Sequence, residues 1–226
     1  MTETDTHPIN TLIFDFDGLI FDSETPDYES WRATYADFGL TLPLDVWQAN
    51  IGSEGLFNPY LHLEKMLGRP IDRDAVYKRR KALDNELLAQ QTILPGVEAY
   101  IQSAKALGLT IGIASSSPHD WVESNLDRLG IPHDTFAVIA CRDDVDNRSK
   151  PDPAVYNFAV QALQANPART LALEDSPNGV AAARAAGLWV TAVPNTMTRP
   201  LDFSHAHHVL DALTAVALPD LLARFK

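Results

Sequence analysis

The stretch Thr11-Leu12-Ile13-Phe14-Asp15-Phe16-Asp17-Gly18 sets an apolar run directly against two acids. Thr11 to Phe14 read as a short buried strand, because β-branched and aromatic residues suit a pleated surface and the run is too short for a helix. The carboxylates then stand where the strand ends. Side chains alternate faces along extended backbone, so Asp15 and Asp17 share a face while Phe14 and Phe16 take the other. Two like charges so close are tolerated when a cation lies between them or one acid keeps its proton. A metal ion is the simpler answer. Gly18 lets the chain turn sharply or lets a ligand approach the main chain. An isolated Asp-x-Asp-Gly is as readily a pair of solvated acids, so its meaning depends on what else the chain brings to it.

With 226 residues, the chain is long enough for one α/β domain or for a core with a smaller insert. Its formal net charge of −12 repels nucleic acid and anionic membrane surfaces, so a phosphate-bearing ligand must be held by local cations. No apolar run reaches the roughly 18 residues of a membrane span. Met1 to Asn10 carry acids and no apolar segment of the secretory kind. The single cysteine, Cys141, excludes an internal disulfide and fits a reducing compartment. A cytoplasmic monomer is expected, with a small-molecule partner and neither nucleic acid nor membrane.

Outward from the first strand, Ser23-Glu24-Thr25-Pro26 is a helix start, and Trp31, Tyr35 and Phe38 recur at helical spacing up to Gly39. Three further helices are expected over 44–51, 56–67 and 73–90. Residues 22–93 thus read as helical throughout, an insert of different composition. Strands then alternate with helices, the pattern of a parallel sheet. Strands are expected at 110–114, 136–140, 170–173, 189–193 and 208–210. Between them, Ser117 is expected to cap a helix with Pro118 at its first position, and Ser176-Pro177 to start another.

Ligands of an open parallel sheet bind outside the carboxyl ends of its strands. Four polar clusters fall on that edge: Asp15-Phe16-Asp17, Ser115-Ser116, Lys150-Pro151 and Glu174-Asp175. Singly, each has a plain structural reading as a cap or a solvated charge. Together they supply carboxylates for a hard cation, a hydroxyl and amides for phosphate oxygens, and a lysine to neutralise charge. Oxygen ligands without a supporting histidine point to Mg²⁺.

Asp15-Phe16-Asp17-Gly18, Ser115, Ser149-Lys150-Pro151-Asp152-Pro153 and Leu173-Glu174-Asp175-Ser176 with Gly179 resemble the four signature motifs of the haloacid dehalogenase superfamily. More narrowly, the chain resembles its β-phosphoglucomutase-like group of sugar-phosphate phosphatases and mutases. The resemblance implies an α/β fold with a Rossmann-like core over 1–21 and 94–226, and an inserted helical cap over 22–93. It implies that Asp15 is the nucleophile, forming an aspartyl-phosphate, and that Asp17 is general acid and then base. Ser115 and the Ser116 amide would hold phosphoryl oxygens, with Gly18, Ser117 and Gly52 in the same phosphate and substrate region. Lys150 would compensate charge, and Asp15, the Asp17 carbonyl and Asp175 would bind Mg²⁺ with Glu174 beside them.

The expected activity is therefore Mg²⁺-dependent hydrolysis of a small phosphorylated metabolite. A phosphomutase and, in another class, a phospho-accepting signalling domain are the alternatives. The mutases of this group carry an arginine where this chain has Gly55, after Glu54, and a cap histidine where it has Asp27. Both differences favour release of the phosphoryl group to water. Three features are set aside: His205-Ala206-His207-His208 as a lead-in to a strand, Cys141 as inert, and Arg79-Arg80-Lys81 as a solvated helix face, with contact between one of these cations and substrate as the alternative.

Overall fold

A computed structural model describes residues 8–48, 51 and 57–225. Gly52, Glu54 and Gly55 lie outside these, so the expectations placed on them are not addressed by the structure. The chain runs β1 (Thr11–Phe14), α1 (Glu24–Asp37), α2 (Leu44–Gln48), α3 (Pro59–Leu67), α4 (Arg73–Ala89), α5 (Val97–Ala106), β2 (Thr110–Ala114) and α6 (His119–Leu129). It continues β3 (Val138–Ala140), α7 (Ala154–Ala162), β4 (Thr170–Glu174), α8 (Pro177–Ala185), β5 (Trp189–Ala192), β6 (His208–Val209) and α9 (Leu218–Leu222).

The six strands form one parallel sheet in the order β3-β2-β1-β4-β5-β6. Strand order reverses around β1, and that reversal opens the crevice where such sheets bind ligands. Phe14 is level with Ile113 on one side and Leu173 on the other. The residues that follow these three therefore emerge side by side. Both sheet faces are covered: Leu12, Phe14, Ile111, Ile113, Leu171 and Leu173 pack under α5, α6 and α9. Ile13, Ala114, Ala172 and Val190 pack under α7 and α8. Burial on both faces explains why these strands read as continuous apolar runs instead of alternating ones.

Helices α1 to α4 pack around a separate cluster that includes Trp31, Tyr35, Trp47 and Leu63. Its two connections to the sheet run side by side, with Phe21 bridged to Ile93 and the Leu94 amide donating to the Ile20 carbonyl at 2.8 Å. Among the described residues no helix is long and apolar enough to cross a membrane.

Element positions follow the sequence pattern closely, with a few local differences: the helix expected from 56 begins at Pro59, where Asn58 caps it through the Leu61 amide at 3.1 Å. The third strand begins at Val138, because a 3-10 turn over His133–Thr135 precedes it. Ser117 does not cap α6: Pro118 occupies that position without a side-chain bond, and the Ser117 hydroxyl goes elsewhere.

Candidate active site

The crevice at the carboxyl edge holds the predicted acids, serines and lysine together. Lys150 arrives on the loop between β3 and α7 and is buried. Its Nζ donates to Asp15 Oδ1 at 2.5 Å, Glu174 Oε1 at 2.6 Å and the Ala114 carbonyl at 2.8 Å, which uses all three ammonium hydrogens. Burial alone would lower the lysine pKa, but the Asp15 and Glu174 carboxylates outweigh it and hold the ammonium above its usual range.

Glu174 is fully enclosed. Oε1 also accepts from the Tyr156 hydroxyl at 2.6 Å, and Oε2 accepts from the Asp175 amide at 3.2 Å and the Ser176 amide at 3.4 Å. It is thus occupied in holding Lys150 and the turn into α8. Ser176 caps that helix through the Gly179 amide at 3.1 Å. A β-carbon on Gly179 would lie 1.9 Å from Glu174 Oε2, so glycine here is a requirement of close approach. Gly179→Ala should displace Glu174 and cost about 1–3 kcal/mol as an overpacked site. Urea unfolding checks this, and an unchanged midpoint would contradict it.

Asp175 is aimed by a residue that the sequence reading passed over. Asn195 Nδ2 donates to Asp175 Oδ2 at 2.7 Å and to the Gly18 carbonyl at 3.1 Å. Its own Oδ1 is fixed by the amides of Met197 and Thr198 at 2.8 and 3.0 Å. Asn195 follows β5 at the same strand edge as the other clusters, so the edge rule applied to that strand would have found it. Gly18 has a φ of 77°, and a β-carbon there would meet Asp175 Oδ2 at 2.2 Å. Its part in the site is to let the β1 and β4 loops touch.

Asp15, Glu174 and Asp175 present carboxylate oxygens within 4.8 Å of one another. Burial pushes the Asp15 pKa up to about 8, with Lys150 opposing and Glu174 reinforcing the shift. Asp175 is raised well above the usual carboxylate range by burial and then by Asp15 and Glu174. If all three were ionised, the carboxylates would leave two negative charges unbalanced against the one ammonium, which is the repulsion that, after burial, raises Asp15 and Asp175. An oxygen-only donor set with that deficit fits a hard divalent cation.

The Asp17 carboxylate stands outside this cluster, toward the cleft. Its Oδ2 accepts from Ser117 Oγ at 2.6 Å and Ser115 Oγ at 3.4 Å, and its Oδ1 from Ser23 Oγ at 2.8 Å and Trp121 Nε1 at 2.9 Å. Ser115 Oγ also accepts from the Ser117 amide at 2.9 Å, and Ser116 Oγ from the Lys150 amide at 3.1 Å. The serines therefore bind the Asp17 and Lys150 loops to one another.

A cleft of about 530 Å³ runs from these groups to the helical unit. Arg80 and Lys81 line it, which corrects their reading as a solvated face; Arg79 alone points outward, with its Nη2 on Asp37 Oδ1 at 2.7 Å. The reason is rotation along α4: positions 80, 81, 84 and 88 share the face that looks into the crevice. Arg80 pairs with Asp27 at 2.7 Å and lies over the Trp31 ring at 5.1 Å, while Lys81 pairs with Asp84 at 2.9 Å. Glu24, also in the cleft, is pushed up to about 8 by burial and by Asp17 and Asp27. Cys141 is buried, and burial with nearby Asp144 pushes its thiol up to about 12, which suits an inert side chain.

These features agree with what the chain resembles among known proteins. The family model of haloacid dehalogenase-like hydrolases matches residues 9–187. The chain is 41% identical over 214 residues to "Putative phosphatase YhcW" of Bacillus subtilis strain 168, covering 95% of this chain and 96% of that protein. It is 31% identical over 233 residues to hexitol phosphatase B of Escherichia coli strain K12, covering 95% and 97%. Among solved structures, CbbY from Rhodobacter sphaeroides, as a mutant in complex with xylulose-(1,5)bisphosphate, aligns with a TM-score of 0.73 and 26% identity over 94% of this chain and 99% of that one. The chain belongs to the haloacid dehalogenase-like hydrolases. Within them it falls in the sugar-phosphate phosphatase group, and it is an enzyme of the phosphoric monoester hydrolase type.

Proposed function

We propose that the protein is a Mg²⁺-dependent phosphatase of a small monophosphorylated sugar or polyol, that it works through an aspartyl-phosphate on Asp15, and that residues 22–93 act as its cap. One observation carries this reading: Asp15 Oδ1 is held by Lys150 inside a buried carboxylate cluster, while Asp17 stands beside it in the cleft. With Oδ1 held, attack falls to Asp15 Oδ2. That oxygen bonds to phosphorus as the bond from phosphorus to the ester oxygen breaks, and the ester oxygen takes its electron pair and a proton from Asp17. In the second half, a water oxygen bonds to phosphorus, its proton passes to Asp17, and the Asp15–phosphorus bond breaks to restore the carboxylate. Ser115 Oγ and the Ser116 amide donate to the phosphoryl oxygens, and Lys150 compensates the charge that builds there. Asp15, Asp175 and the Asp17 carbonyl would hold Mg²⁺, with Glu174 behind them. When bound, it offsets repulsion between the carboxylate nucleophile and the phosphate.

Chelation with EDTA is therefore expected to remove turnover, and added Mg²⁺ to restore it. Binding is read independently by the melting temperature, which rises with Mg²⁺ in the wild type because the ligand stabilises the folded state. Asp175→Asn should blunt that rise. Full activity in chelator, or a melting temperature indifferent to Mg²⁺, would count against the metal assignment.

The charge balance of the cap wall supports one phosphate and a neutral remainder. Arg80 and Lys81 are each ion-paired, and residues 49–56 contain Glu54 but neither lysine nor arginine. Trp31, Trp47 and Phe57 line the cleft with aromatic surface for the sugar body. A phosphate-release screen over sugar and polyol phosphates tests the reading. Monophosphates should exceed their bisphosphate counterparts in kcat/KM by about tenfold or more, since a second dianion would meet no spare cation. β-Glucose 1-phosphate with a bisphosphate primer should yield inorganic phosphate. Isomerisation to glucose 6-phosphate outrunning phosphate release would favour the mutase.

A further inference from the structure

We infer that Trp121 is a positioning residue for the acid-base step: its indole N–H occupies Oδ1 of Asp17 and leaves Oδ2 as the oxygen that carries the proton. The inference rests on Asp17 being the acid and base of the proposed reaction. A carboxylic acid has one oxygen that donates and one that only accepts. An indole N–H can donate and cannot accept. A proton on Oδ1, even turned toward the Ser23 hydroxyl, would make that atom the hydroxyl oxygen of the acid, a poorer acceptor than a carbonyl oxygen, and so weaken the bond it receives from the Trp121 Nε1–H at 2.9 Å. At Oδ2 the partners are the hydroxyls of Ser117 and Ser115. Hydroxyls rotate between donor and acceptor, so they receive a protonated Oδ2 as readily as they serve an ionised one. The Ser23 hydroxyl on Oδ1 can rotate in the same way and selects neither oxygen. Among the described partners of Asp17, Trp121 alone breaks the symmetry.

The indole is also well placed to hold its orientation. It lies on α6 against Phe21, with ring centroids 6.4 Å apart, and Lys81 of α4 sits 5.7 Å from its ring. Its faces thus meet one residue at the junction with the helical unit and one residue inside that unit. In the forward half-reaction the proton on Oδ2 passes to the ester oxygen as the bond to phosphorus breaks. In the second half a proton from water returns to the same atom. An oxygen fixed by Trp121 need not exchange places with its twin between the halves.

The test separates proton transfer from packing by the leaving group. Nitrophenolate leaves without protonation, whereas the alkoxide of a hexose 6-phosphate needs it. In Mg²⁺-loaded enzyme, Trp121→Phe removes the N–H and keeps a ring between Phe21 and Lys81. Its single-turnover phosphorylation by a hexose 6-phosphate is expected to slow by about tenfold or more, while the nitrophenolate burst from p-nitrophenyl phosphate stays within about twofold. Replacing the indole by its benzothiophene analogue, which has sulfur in place of the N–H, should give the same bias and covers the case in which the phenylalanine variant folds poorly. Added to Asp17→Asn, Trp121→Phe should cause no further bias, because the two act through one proton. Equal slowing on both substrates, or none, would overturn the role of Trp121 if Asp17→Asn itself shows the leaving-group bias. Absence of that bias in Asp17→Asn would instead overturn the acid-base reading, and this inference with it.

Discussion

Asp15→Asn should abolish turnover while leaving the metal-free fold at least as stable as the wild type. The amide nitrogen and oxygen do not displace an alkoxide from phosphorus, so the covalent route closes; by analogy with removal of other enzyme nucleophiles, kcat should fall by roughly 10⁴-fold or more. Stability moves the other way for an electrostatic reason. The raised pKa of Asp15 means that burial and the Glu174 charge penalise its ionised form in the folded protein, even with Lys150 beside it. Asparagine has nearly the same volume and can still accept from Lys150 through its carbonyl oxygen, but it relieves one of the three crowded charges. Phosphate release, acid-quench trapping of the phosphoenzyme and a thermal melt in EDTA check the three parts together. Residual phosphate release at a tenth of the wild-type rate would remove Asp15 from the role of nucleophile.

Lys150→Met should damage both activity and fold. The ammonium is the shared partner of Asp15 and Glu174 and is 7% exposed, so its removal leaves two buried carboxylates facing each other without it. Breaking a buried pair by deleting one member typically costs about 3–5 kcal/mol. Loss of a preorganised charge at the transferring phosphoryl group costs on the order of a hundredfold or more in rate. Methionine preserves the length and the apolar stem, so the change isolates the charge. Adding Asp15→Asn to Lys150→Met should recover part of the lost stability, since one orphaned carboxylate disappears. Urea midpoints of the single and double variants read this coupling. A near-normal rate in Lys150→Met, or strictly additive stabilities, would mean that the ion pairs contribute little.

Much of this arrangement is legible in the chain. The run Thr11 to Phe14 identifies a buried strand by its residue types, and the repeated change from apolar run to polar cluster marks the carboxyl ends of β1, β2 and β4. Helix starts at Ser176-Pro177 and stops such as Gly130 follow from local backbone chemistry, which needs no tertiary contact. Ser117 shows where local chemistry misleads. Its sequence context suits a cap, but a carboxylate a hundred residues away offers a stronger acceptor than a backbone amide, and the hydroxyl turns to Asp17.

The sequence by itself determined the class of fold, the strand edge at which the polar clusters gather and, as candidates, Asp15, Asp17, Ser115, Lys150 and Asp175. Those are properties of residue type and of short-range periodicity, and both can be read along a line. Only the tertiary structure decided that Glu174 serves Lys150 and Tyr156, that Asn195 aims Asp175, that Trp121 meets Asp17, and that Arg80 faces the cleft while Arg79 faces solvent. Each of these depends on how far one element is rotated against another. Rotation is set by the packing of side chains distant in sequence, where a displacement of a few ångströms exchanges one hydrogen-bond partner for another.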